Sequence, residues 1–145
     1  MRGALAILLL IAASPQPALA KSDEARIAGQ WSFTADLDVD CSFGGTAHLE
    51  HVGDGKYVGE LTARQSCDLL EEDYLVRQDC KANLFGDQVS VRCRIVEFIN
   101  GFGSEFYYPD NFTLTISSTT RMYGALVSSG EANPAEWKRA EGGIS

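Results

Sequence analysis

The sequence predicts an all-β fold, an eight-stranded antiparallel up-and-down barrel with two cross-strand disulfides. Three observations carry this reading. Apolar and polar residues alternate with a period of two from Gln30 to Ser128. Clusters of Gly, Asn, Asp and Pro interrupt the alternation at the spacing of short antiparallel strands. The four cysteines, Cys41, Cys67, Cys80 and Cys93, fall opposite one another when the hairpins are built outward from their turns.

The chain opens on a segment outside that fold. Residues 1–20 carry one positive charge at Arg2, an apolar run from Ala4 to Ala12, and small residues at Ala18-Leu19-Ala20, the pattern of a cleavable signal peptide. The run is too short to cross a bilayer and no later one is longer, so no membrane insertion is expected. Its short n-region is of bacterial type, which directs the protein to the periplasm or the medium. Residues 21–145 then form a single domain, since about 125 residues suffice for one core and not for two. Loss of residues 1–20 removes one arginine and no carboxylate. The 12 basic and 20 acidic side chains become 11 and 20, a formal charge of −9, which argues against nucleic acid as a partner. Four cysteines in an oxidising compartment point to two disulfides.

Eight strands are expected, over about 30–38, 43–52, 56–66, 74–85, 88–99, 104–108, 111–117 and 121–128. In the first, Trp31, Phe33, Ala35 and Leu37 share the inward phase. Asp36, Asp38 and Asp40 therefore face solvent and are not calcium ligands. A loop at Gly53-Asp54-Gly55 sets Leu49 against Gly59, Ala47 against Leu61 and Cys41 against Cys67. A two-residue turn at Gly86-Asp87 sets Leu84 against Val89, Ala82 against Val91 and Cys80 against Cys93, with Asp79 and Arg94 on the outer face. A loop at 118–120 pairs Ile116 with Met122, Leu114 with Gly124 and Phe112 with Leu126. Closure of such a meander removes both sheet edges. Residues 133–140 read as a helical turn.

Gly29-Gln30-Trp31 at the start of strand one and Trp137-Lys138-Arg139 after the last strand resemble the lipocalin and wider calycin pattern. The resemblance implies that Trp31 lies beneath Arg139 and closes one end of the barrel, with a cation-π contact. A second resemblance is to small secreted bacterial barrels that inhibit metalloproteases. It rests on the same Gly-x-Trp start and on a disulfide between cysteines about two dozen residues apart, here Cys41 and Cys67. It implies that the segment before strand one, Lys21 to Ala28, enters a protease cleft.

Catalytic motifs are missing from the sequence: it has no nucleophile elbow, HExxH or glycine-rich phosphate loop. His48 and His51 lie on opposite faces of one strand, so they do not form a joint metal site. Neither an enzyme nor a cofactor is expected. Tyr74, Gln78 and Glu97 fall in the inward phase beside Cys80 and Ile95, where polar groups need partners. Phe102, in the Asn100-Gly101-Phe102-Gly103 loop, is an aromatic suited to recognition. Meander connectivity puts the turns at Asp54, Gly86 and Pro109 at the closed end with Trp31 and Arg139. The opposite end gathers the connections 37–43, 67–73 and 99–104 into an acidic mouth bearing Asp38, Asp40, Asp68, Glu71, Glu72, Asp73, Glu97 and Glu105. Small inward residues, Ala47, Gly59, Ala63, Ala82 and Gly124, leave room for a cavity. The expected function is a non-catalytic binding barrel for a small cationic or polar molecule at this mouth, held by Tyr74, Gln78, Glu97 and Phe102. The alternative is a protease inhibitor, whose partner is a protein and, given the charge, a basic surface.

Overall fold

In the computed structural model, which describes residues 26–101 and 107–140, eight strands run antiparallel in chain order and the last pairs with the first. They are β1 (Gly29–Ala35), β2 (Cys41–Gly53), β3 (Lys56–Cys67), β4 (Tyr74–Phe85), β5 (Gln88–Asn100), β6 (Asn111–Ser118), β7 (Arg121–Ser128) and β8 (Glu131–Arg139). The expected signal peptide, Phe102 and Glu105 lie outside the described residues.

Turn chemistry sets the registers as expected. Cys41 pairs with Cys67 across β2 and β3, Cys80 pairs with Cys93 across β4 and β5, and both pairs are disulfides. Leu114 faces Gly124 across β6 and β7. The β2–β3 turn is tighter than expected, because a bulge between His51 and Gly53 lets Gly53 pair with Lys56.

Two assignments change. The eighth strand is not 121–128 but β8, where a helical turn was expected. Alternation decides it: Ala135 and Trp137 are buried, while Glu136 and Lys138 face outward. The segment is Ala- and Glu-rich, but β7 and β1 each offer it an open ladder, and pairing with both outweighs helix propensity. Of the expected strand at 104–108, only residues 107 and 108 are described and neither is in a strand; residues 107–110 pack at the mouth instead. Pro109 therefore belongs to the open end, and the turn at 119–120 takes its place at the closed one.

Strand lengths make the barrel lopsided. β2 to β5 run 12 or 13 residues, whereas β6, β7, β8 and β1 run 8, 8, 9 and 7. At about 3.3 Å per residue, the long strands run about 15 Å further along their own axes than the short ones, with the excess divided between the two ends of the barrel. Inside the short half, Trp137 stacks on Phe33 (5.4 Å) and meets Phe112 edge-on (5.1 Å), with Trp31 6.4 Å away. Each such ring, fully buried, contributes roughly 1.5–3 kcal/mol. These rings pack the interior beside Ala47 and Gly124, the partners of Trp31 and Leu114. Gly59 and Gly124 mark close strand approach: a Cβ on either would strike a carbonyl of the neighbouring strand, His48 O or Thr113 O.

Arg139 seals the lower end. Its guanidinium lies 4.4 Å from the Trp31 ring centre and donates to Ala28 O (2.6 Å), Arg26 O (2.9 Å) and Thr119 O (3.0 Å). Trp31 Nε1 donates to Ile27 O (2.9 Å), holding the buried Ile27 beneath the ring.

Candidate binding site

The mouth is shaped by a strand that ends early. β5 pairs with β6 only from Gln88 to Val91, so the upper half of β5 has no β6 neighbour. Asn111 Oδ1 accepts from Cys93 N (2.9 Å) in place of the missing ladder, and residues 107–110 pack into the gap. Tyr107 meets Tyr74 (5.3 Å) and Phe98 (6.0 Å), and with Val76 these rings form a second apolar cluster over the main core.

Asp110 follows Tyr107 inward. It is 2% exposed, and both Gln78 Nε2 and Tyr107 Oη donate to its Oδ2 at 2.6 Å. Asp110 N in turn donates to Gln78 Oε1 (2.9 Å), so the two side chains grip each other. Burial raises the Asp110 carboxyl to about 6, although the hydrogen bonds from Tyr107 and Gln78 favour its charged form. The Tyr107 phenol is pushed well up, first by burial and then by the charge of Asp110.

Beside this cluster, at the mouth, lies a cavity of about 190 Å³ with Leu37, Phe43 and Leu126 in its apolar lining. Its polar lining includes Asp38, Gln65, Tyr108, Asp110, Glu131 and Asn133 and, among the described residues, no Lys, Arg or His. A wider trough of about 800 Å³ on the outer wall has Glu60, Asp79, Lys81, Arg92 and Arg94 in its lining. It mixes both charge signs, and its Asp79 and Arg94 are paired at 3.5 Å, so it has no charge preference. The mouth cavity is of one sign and adjoins a buried carboxylate, which makes it the candidate site. Among the described residues, no group of three or more His, Cys, Asp or Glu side chains is placed to hold a metal.

The residues expected at the site divide. Gln78 is fully buried and reaches the cavity only through Asp110, and Tyr74 is buried beneath Tyr107. Glu97 points the other way from the expectation. The register holds as far as Gln78 with Ile95, then a bulge at Val96 sets Arg77 against Glu97. Glu97 is thereby turned outward, accepting from Arg77 Nε (3.2 Å), and Phe98 turns inward. Asp110 and Glu131 were not anticipated as site residues. The signal for Asp110 was Gln78 itself, a polar side chain in an inward row that required a buried partner.

No family model matches the chain, and no curated protein matches it. Solved structures of designed proteins do. A de novo designed fluorescence-activating β-barrel aligns with 82% of this chain and 98% of its own, with a TM-score of 0.60 at 11% identity. A redesigned β-barrel, b11L5F_LGL, covers 81% of this chain and 95% of its own (TM-score 0.59, 13% identity). Another, mFAP1, described as bound to DFHBI, covers 81% and 97% (TM-score 0.57, 12% identity). At such identities the likeness is one of fold: this chain has the closed eight-stranded antiparallel architecture of these designed barrels.

Proposed function

We propose that the protein is a non-catalytic binding barrel, exported by its signal peptide to the periplasm or medium, that takes a small cationic or polar molecule at its mouth. The observation that carries this reading is the cavity of about 190 Å³ with Asp38, Asp110 and Glu131 in its lining and, among the described residues, no basic side chain. A void of roughly 150 Å³ accepts benzene; a compound of about six to ten non-hydrogen atoms bearing an ammonium or guanidinium group suits this one. Designed barrels of the same fold described as bound to DFHBI support small-molecule binding by the architecture. The two disulfides suit an oxidising compartment.

Titration at low salt against small ammonium and guanidinium compounds, with matched carboxylates and phosphates, tests the proposal. Cations alone should bind, more weakly as salt rises, and Asp110→Asn and Glu131→Gln should each weaken them. Salt-insensitive binding of an anion, or cation binding indifferent to both variants, refutes it.

The aromatic filling of the barrel favours a second reading, a proteinaceous inhibitor, because such a protein needs a rigid body and no internal cavity. Stoichiometric inhibition of a secreted protease, with no small cation bound, would establish it instead.

A further inference from the structure

Two adjoining turns at the mouth carry side chains that turns seldom select. In the first, Cys41 N donates to Asp38 O (2.9 Å), leaving Val39 and Asp40 at the tip. In the second, Leu70 N donates to Cys67 O (3.0 Å), leaving Asp68 and Leu69 there. The Cys41–Cys67 disulfide joins the two bases, and Asp68 N donates to Asp40 O (2.9 Å), so the turns form one clamped unit. Gly, Pro, Asn, Asp and Ser dominate such tips for conformational reasons, and neither Val nor Leu shares those reasons. Yet Val39 is 101% exposed and Leu69 94%, the highest values among the large apolar side chains described.

Charge on these turns is largely uncompensated: beside the second turn Asp73 pairs with Arg64 (3.3 Å), but the others stand alone among the described residues. Asp36, Asp38, Asp40, Asp68, Glu71 and Glu72 lie on or beside them, and none forms an ion pair among the described residues. On the outer wall, by contrast, Glu60 and Glu97 share Arg77, and Asp79 pairs with Arg94. Solubility would explain the carboxylates but not two bare apolar tips among them. A membrane with an anionic surface would repel six carboxylates.

We infer that this clamped pair of turns is a protein-docking surface, and that its partner presents a basic surface with an apolar recess for Val39 and Leu69. The disulfide and the cross-turn hydrogen bond hold the tips before contact, which lowers the entropy lost on association. Carboxylates around the tips steer a basic partner and disfavour an acidic one. Neither Val39 nor Leu69 lines the mouth cavity, so the inference stands apart from the small-ligand reading.

The test is selection of a displayed library of random twelve-residue peptides on the protein, with a Val39→Ser/Leu69→Ser double variant as counter-target. Both side chains are exposed, and an unchanged melting temperature verifies that the variant is folded. Enriched peptides should be cationic and carry a large apolar residue. They should bind the double variant about tenfold or more weakly, the loss expected for two unburied aliphatic side chains. Their affinity should fall with salt and be the same for Asp110→Asn, which separates the turns from the cavity. Neutral or acidic peptides, equal binding to the double variant, or no enrichment over it would overturn the inference. So would sedimentation with phosphatidylcholine vesicles that depends on Val39 and Leu69, which would assign the tips to a membrane surface.

Discussion

Replacing Asp110 by Asn should stabilise the protein at neutral pH and leave it nearly unchanged in acid. In the fold, the Asp110 carboxyl titrates at about 6, raised by burial from 3.8. Below the lower value both the folded and the unfolded chain hold the proton, and the carboxylic acid contributes its full stability. Between the two values the folded chain binds more protons than the unfolded one. Stability therefore falls as pH rises, and is lost through the folded value. The interval corresponds to about 3 kcal/mol at neutral pH, undiscounted by solvent because the side chain is 2% exposed. Asparagine keeps an oxygen for Gln78 and Tyr107 and carries no charge. Denaturant unfolding of both proteins at intervals from pH 4 to pH 8 reads the difference, and the other carboxylates cancel in the subtraction. Asp110→Asn should match the wild type within about 1 kcal/mol at pH 4 and exceed it by up to about 3 kcal/mol at pH 8. A difference that is flat in pH, or a wild type more stable than the variant at pH 8, would refute the account of the buried cluster. The same titration bears on function, since cation binding at the mouth should strengthen as pH rises through about 6.

Arg139→Met removes the cation over Trp31 and the donors to Ala28 O, Arg26 O and Thr119 O, and should cost about 2–3 kcal/mol, whereas Lys138→Met on the outer face should change stability by less than about 0.5 kcal/mol. Equal losses in chemical unfolding would contradict the closed-end seal. Removing the disulfides one at a time by paired Cys→Ala substitution should cost about 3.5 kcal/mol for Cys41–Cys67 and about 3 kcal/mol for Cys80–Cys93, in the order of their separations of 26 and 13 residues. A reversed order would mean that native packing around Cys80, not loop closure, governs that bridge.

Much of the fold was legible in local sequence. The turns at Asp54-Gly55 and Gly86-Asp87 and the period-two alternation act over a few residues, and together they placed four strands, two registers and both disulfide partners. Gly-x-Trp and Arg139 likewise marked the closed end, where the two side chains meet. The candidate site was less legible. Gln78 signalled a buried polar partner but not which one, because Tyr107-Tyr108-Pro109-Asp110 reads as an ordinary turn and nothing local sends its carboxylate inward. Glu97 was assigned to the wrong face because one extra residue at Val96 reverses every side chain beyond it.

By itself the sequence determined what short-range physics determines: strand character, hairpin register, cysteine pairing and an excess of negative charge. Tertiary structure alone decided the rest. β8 is a strand because two open edges, separated from each other by most of the chain, both needed a partner. The aromatic core forms because rings from β1, β6 and β8 converge only once the barrel has closed. The acidic cavity exists because the β1–β2 connection, residues 107–110 and the β7–β8 turn, far apart in the chain, come together at the mouth once the strands stand side by side.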